Sequence, residues 1–183
     1  MTSNFKVHNV KISLKLKTPY SSYCNKLISQ NQEIKHKKFG NFLIIYHDFT
    51  YILFYTVNDI LHCNVTKIKK YNGIYLSKVQ LKKLFPQLSI LSTKVDNICG
   101  TKNVRHNIKL ETLFVELVNH TSKEFKVNYN SQKFPGIFIK FHGNLLTGTL
   151  IVFKSGKINL VGLKRPSNFI EVDKWINKWI QYV

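Results

Sequence analysis

The chain contains the same unit twice. Lys6-Val7-His8-Asn9-Val10 reappears 88 residues later as Lys94-Val95-Asp96-Asn97-Ile98; Lys38-Phe39-Gly40 returns as Lys133-Phe134-Pro135-Gly136, and Leu53-Phe54-Tyr55 as Ile151-Val152-Phe153. The pairs keep their order while the offset drifts from 88 to 98, the pattern left by a duplication with loop insertions. The fold must therefore be built from two copies of one supersecondary unit, and the sequence divides into residues 1–90 and 91–183 as two repeats of one composite domain.

Each half runs in the same coarse order. An extended start (Phe5–Leu16; Leu91–Val104) leads into a helical stretch (Pro19–Gln30; Leu110–Thr121), then alternating apolar strands, then a closing helix. In the first half Phe42–Tyr46 and Tyr51–Val57 flank His-Asp-Phe-Thr as a hairpin, and Ile60–Val65 returns after the turn Asn58-Asp59. The second half repeats this with Ile137–Phe141, Thr149–Phe153 and Ile158–Leu163, punctuated by Gly143-Asn144 and Ser155-Gly156. The closing helices carry a 3.6-residue period, with Leu76, Val79, Leu81 and Leu84 in one and Ile170, Trp175, Ile176, Trp179 and Ile180 in the other. Both tryptophans are expected to pack in the core. Helices following strands, twice, imply an α+β fold with an antiparallel sheet and helices on one face only. The other face then exposes aromatic and aliphatic side chains, and a large exposed apolar patch marks a binding surface.

Charge narrows the ligand. A formal net charge of +19 attracts polyanions, nucleic acid before anionic membrane. Almost all of it is lysine, partly a result of AT-rich coding, but residues 60–95 and 125–170 lack any Asp or Glu, so a basic face remains. The run Lys35, Lys37, Lys38 reads as a solvated loop; the Lys78, Lys82, Lys83 face takes either solvent or an acidic partner. Cys24, Cys63 and Cys99 show neither disulfide nor zinc spacing, which fits a reducing compartment and no metal cofactor. The N-terminal residues lack the apolar core of a signal peptide, and no run reaches about 18 apolar residues, so no membrane role is expected.

Catalysis finds no support. The nine acidic residues are scattered, the only close pair being Glu171 and Asp173 on two sides of a helix. The seven histidines lack metal spacing, and phosphate-cradling glycine motifs are absent. The chain reads as a binding protein, not an enzyme.

The duplicated strand-helix order, the asparagine near each start, Phe134-Pro135-Gly136, Ser155-Gly156-Lys157, and Lys94 to Thr101 followed by Ile108 to Leu113 resemble the core domain of TATA-box-binding proteins. The likeness is strongest over residues 94–164 and weakest over 17–36. It implies a pseudo-two-fold saddle, a curved antiparallel sheet with helices on the convex face and no extension before the core. It implies a protein that grips the minor groove of AT-rich, TATA-like promoter DNA, bends it and nucleates transcription initiation without a cofactor. Carried over residue by residue, Asn9 and Asn97 would donate to base acceptors at the centre of the site. Phe39 with Tyr55, and Phe134 with Phe153, would wedge into base steps, flanked by Leu53, Leu61, Pro135 and Ile151. Lys140, Lys157 and Lys164 would meet phosphates.

The chain also departs from the family pattern. Tyr55 stands at a wedge position, Lys11, Cys99, Leu61 and Asn159 replace small β-branched groove residues, and Val57-Asn58-Asp59 replaces a Ser-Gly-Lys turn. These changes cluster in the first repeat, where weaker or altered sequence preference is expected. The alternative is a scaffold of the same fold that assembles transcription proteins with DNA bending reduced or lost. Implied partners are double-stranded promoter DNA, proteins like transcription factors IIA and IIB, and an RNA polymerase. The implied place is the nucleus, or a cytoplasmic viral factory for a viral version.

Overall fold

A computed structural model describes residues 5–20, 22–30, 33–55, 60–120, 124–143 and 146–180. The elements, in order, are β1 (Lys6–Lys17), α1 (Tyr23–Gln30), β2 (His36–Phe39), β3 (Phe42–Tyr46), β4 (Thr50–Tyr55), β5 (Leu61–Ile68), α2 (Gly73–Leu84), β6 (Ser89–Asn103), α3 (Leu110–Asn119), β7 (Phe125–Asn128), β8 (Gly136–His142), β9 (Thr147–Phe153), β10 (Lys157–Leu163) and α4 (Asn168–Trp179). The strands form an antiparallel sheet in the order β2-β3-β4-β5-β1-β6-β10-β9-β8-β7, so the second half repeats the first in mirror order, as a duplication requires. The turn Val57-Asn58-Asp59 and Asn144 of the Gly143-Asn144 turn lie outside the described residues.

Two compact units divide the chain: a first unit of Asn9–Asp96 and a second of Met1–His8 with Asn97–Val183. The division falls inside β1 and β6, because Phe5 and Lys6 pack with the second repeat. The Phe5 ring lies 5.3 Å from that of Phe169, and the Lys6 carbonyl crowds Gly100.

In the first unit Ile12, Leu14, Ile45, Leu53, Cys63 and Val65 alternate inward and are covered by Tyr23, Cys24 and Ile28 of α1 and Leu81 of α2. The buried Tyr51 hydroxyl donates to the Ser77 carbonyl at 2.9 Å and ties α2 to the sheet. The inward stripe of α2 is Gly73, Ser77 and Leu81, while Leu76 is half-exposed, contrary to the expected stripe. Small residues explain the rotation: Gly73 sits where a Cβ would come within 2.8 Å of Ile68, so α2 approaches β5 on its smallest side. Tyr75 and Leu76 are then turned outward. The Lys35–Lys38 segment is no loop either, since Lys37 and Lys38 belong to β2, a wholly exposed edge strand whose lysines discourage edge-to-edge pairing.

The second unit buries Ile98, Ile137, Ile139, Leu150, Val152, Ile158 and Leu160 against Leu113 and Leu117 of α3 and Phe169, Val172 and Ile176 of α4. Ile170 is exposed instead of buried. Trp175 and Trp179 are half-buried and close the end of the core with Phe125, Phe141 and His120. Neither β2 nor β7 was expected from the sequence, as each is a four-residue edge strand too short to show a period.

The repeat is visible even in its irregularities. The β1–β5 ladder slips between Val10 and Ile12, and the β10–β6 ladder slips between Leu160 and Leu163. At these bulges Lys67 (φ 63°) and Gly162 (φ 85°) take left-handed backbone. A lysine there is strained where a glycine is not. Lys67→Gly is expected to raise unfolding free energy by about 0.5–1 kcal/mol, the relief of strain exceeding the added freedom of the unfolded chain, measurable by urea denaturation.

Candidate nucleic-acid interface

Strand alternation sorts each unit into a helix-covered face and an open face. On the open face of the second unit stand Asn97, Cys99 and Thr101 of β6, Asn159 and Val161 of β10, Thr149, Ile151 and Phe153 of β9, and Phe138 of β8, all half-exposed. Lys140 and Lys157 are exposed on the same strands, and Lys164 follows β10. The rings make one cluster: Phe134 lies 4.7 Å from Phe138 and 5.8 Å from Phe153. Gly136 makes this possible, since a Cβ there would meet Phe134 at 3.0 Å and Phe153 at 3.3 Å. Pro135 is exposed beside them. Phe138 escaped the sequence reading, although its alternation with Ile137 and Ile139 was there to be used.

Asn97 is oriented by its neighbours. Its Oδ1 accepts the Gly162 N–H at 2.8 Å, a hydrogen bond supplied by the bulge, while Nδ2 lies 3.2 Å from the Cys99 sulfur, a weak acceptor. The amide therefore keeps its donor end for a stronger acceptor. Asn9, its repeat counterpart, is exposed.

In the first unit the aromatic positions move by one residue. Leu53 and Leu61 are 2% exposed and belong to the core, where neither can touch a ligand on the open face. Tyr55 pairs with Leu61 and continues the inward alternation of Tyr51 and Leu53, so it too departs from the expected wedge position. Phe54 is the ring on the open side: it lies 5.5 Å from Phe42 and stacks on His62 at 5.6 Å. Phe39, opposite Phe42 in the β2–β3 pairing, is 69% exposed. The register explains the shift, because Ile52 faces Asn64 as Ile151 faces Asn159, which sets Ile52-Leu53-Phe54 over Ile151-Val152-Phe153. A slip of one residue turns every side chain of a strand to the opposite face. The signal was present as Thr50-Tyr51-Ile52-Leu53-Phe54 against Thr149-Leu150-Ile151-Val152-Phe153, which share Thr, Ile and Phe. By the same register Asn64, not Leu61, is the partner of Asn159.

Each open face thus offers flat aromatic surface, amide donors and lysines, an arrangement suited to stacked bases between phosphates. Among the described residues no three His, Cys, Asp or Glu side chains stand together as metal ligands do, and no helix is long and apolar enough to cross a membrane. Burial pushes the Cys24 thiol up to about 12 and raises that of Cys63 further, so neither ionises at neutral pH. Cys99, half-exposed on the open face, is the accessible thiol. A maleimide is expected to modify Cys99 alone in the folded chain, and bound AT-rich duplex should slow that reaction, as peptide mass spectrometry would read.

Residues 92–182 match the family model described as "Transcription factor TFIID (or TATA-binding protein, TBP)". The fold is shared with Methanococcus jannaschii TBP at a TM-score of 0.70 and 17% identity, over 98% of this chain and 99% of that one. No curated protein matches the chain by sequence. With its second half matched to the family by sequence and nearly its whole length by fold, the chain belongs to the TATA-box-binding protein family as a divergent core domain.

Proposed function

We propose that this chain is a transcription initiation factor that binds the minor groove of AT-rich promoter DNA, bends it, and nucleates assembly of the initiation complex. The observation that carries the reading is the Phe134-Phe138-Phe153 cluster on the same open face as the oriented Asn97 amide, with Phe39, Phe42 and Phe54 as its counterpart in the first unit. Apolar rings inserted at a base step unstack it at a cost of a few kcal/mol and kink the duplex, which the added contact with bent DNA offsets. Amide donors suit the A·T minor groove, which shows only acceptors, and pyrimidine-purine steps bend most easily. The family consists of DNA-binding factors, not enzymes, and an active site is not part of the reading.

Double-stranded promoter DNA is the first partner. Proteins like transcription factors IIA and IIB and an RNA polymerase would meet the helical faces, where α2 turns Tyr75, Leu76, Lys78, Lys82 and Lys83 outward or partly outward. The place of action is where the genome is transcribed: the nucleus, or a viral factory if the source is a virus. Energy transfer between dyes at the two ends of an AT-rich duplex tests the core of this reading, the ends drawing together as the chain binds. Binding without approach of the ends would favour the scaffold role. Lys140→Ala is expected to lower the slope of log affinity against log salt by about 1, as for one lost phosphate contact.

A further inference from the structure

The two open faces are not chemically equivalent. In the first unit Ser13 of β1, Asn64 of β5 and Asp96 of β6 meet: the Ser13 hydroxyl lies 2.9 Å from Asn64 Oδ1 and hydrogen-bonds Asp96 Oδ2. All three side chains are half-exposed. One hydroxyl carries one proton, so it can satisfy the amide oxygen or the carboxylate, but not both. Turning the Asn64 amide around lets it donate to Ser13 while Ser13 donates to Asp96, and this frees the amide oxygen. A carboxylate alone has room for about four hydrogen bonds.

The repeat puts different chemistry at the matching positions of the second unit. Ser13 faces Asn64 as Thr101 faces Asn159, and Asp96 corresponds to His8 in the repeat Val7-His8-Asn9-Val10 over Val95-Asp96-Asn97-Ile98. The second unit thus carries an imidazole, able to donate, where the first carries an acid. The minor groove decides what each can read. A·T and T·A pairs show only acceptors there, and the guanine N2 amino group is the sole donor on a base edge. A carboxylate facing adenine N3 and thymine O2 is repelled, whereas facing guanine N2 it accepts a hydrogen bond.

We propose that the Ser13-Asn64-Asp96 cluster is a specificity determinant that accepts the N2 amino group of a guanine. The half-site under the first unit then takes a G·C pair, while that under the second unit demands A·T. Such a preference would make the site directional. The inference rests on minor-groove binding as proposed above.

The test uses the intact chain and duplexes that are AT-rich throughout, that carry one G·C pair within one half-site, or that carry one within each half-site. A single G·C pair should be tolerated or preferred, the chain choosing the orientation that sets its first unit over it. Guanine in both half-sites should weaken binding about tenfold. Replacing the tolerated guanine by inosine, which lacks only the N2 amino group, should also weaken binding about tenfold. Asn64→Val and Asp96→Ala should each shrink the guanine-to-inosine difference. If the variants do not fold, the comparison on the native chain still decides. Equal affinity for guanine and inosine, or equal loss from guanine in one half-site and in both, overturns this inference while leaving minor-groove binding intact if the AT-rich duplex is still bound and bent. Failure to bind any of the duplexes overturns both.

Discussion

The double change Phe134→Ala, Phe153→Ala is expected to abolish the kink at one end of the bound duplex and to weaken binding by about 100-fold, at about 2 kcal/mol or less for each ring. Both rings stand half-exposed on the open face and not in the helix-covered core, so the folded chain loses mainly their contacts with each other and with Phe138, about 1 kcal/mol for each ring pair. Energy transfer across the duplex and thermal melting of the free protein together separate the two effects. Unchanged bending with intact melting would remove the wedge from the proposed mechanism.

Neighbouring residues of β4 should behave in opposite ways. Leu53→Ala empties a fully packed site and is expected to cost about 2–5 kcal/mol of stability, with DNA contact affected only through unfolding. Phe54→Ala removes a ring that touches Phe42 and His62 on the open side. It is expected to cost about 1 kcal/mol of stability and to weaken binding tenfold or more. Urea denaturation beside duplex titration would distinguish the two. The reverse pattern, with Leu53 controlling binding and Phe54 controlling stability, would restore the register read from the sequence and place Tyr55 back among the wedges.

These two residues mark the boundary of what was legible in the sequence. The repeat, the α+β class and nearly all strands were legible because duplication and alternating burial leave patterns many residues long. β3 spans Phe42–Tyr46 as expected, and α3 begins at Leu110 as expected. α1, by contrast, begins at Tyr23 instead of Pro19. The second-unit rings were legible because Phe-Pro-Gly and Ser-Gly-Lys anchor them at both ends. The first-unit rings were not, because Leu53-Phe54-Tyr55 is apolar throughout and offers no polar residue to tell one face from the other. Lys67 and Gly162 share a backbone conformation with no common side chain, so the duplicated bulge, and with it the orientation of Asn97, was invisible.

By itself the sequence determined that the chain is two copies of one strand-rich unit, strongly basic and rich in aromatic residues. Those properties follow from composition and period, which do not depend on how the strands pair. Only the tertiary structure decided which aromatics face outward and that Ser13, Asn64 and Asp96 meet across three strands. The physical reason is that a strand's two faces differ by a single residue of register, and register is set by partners distant in the chain.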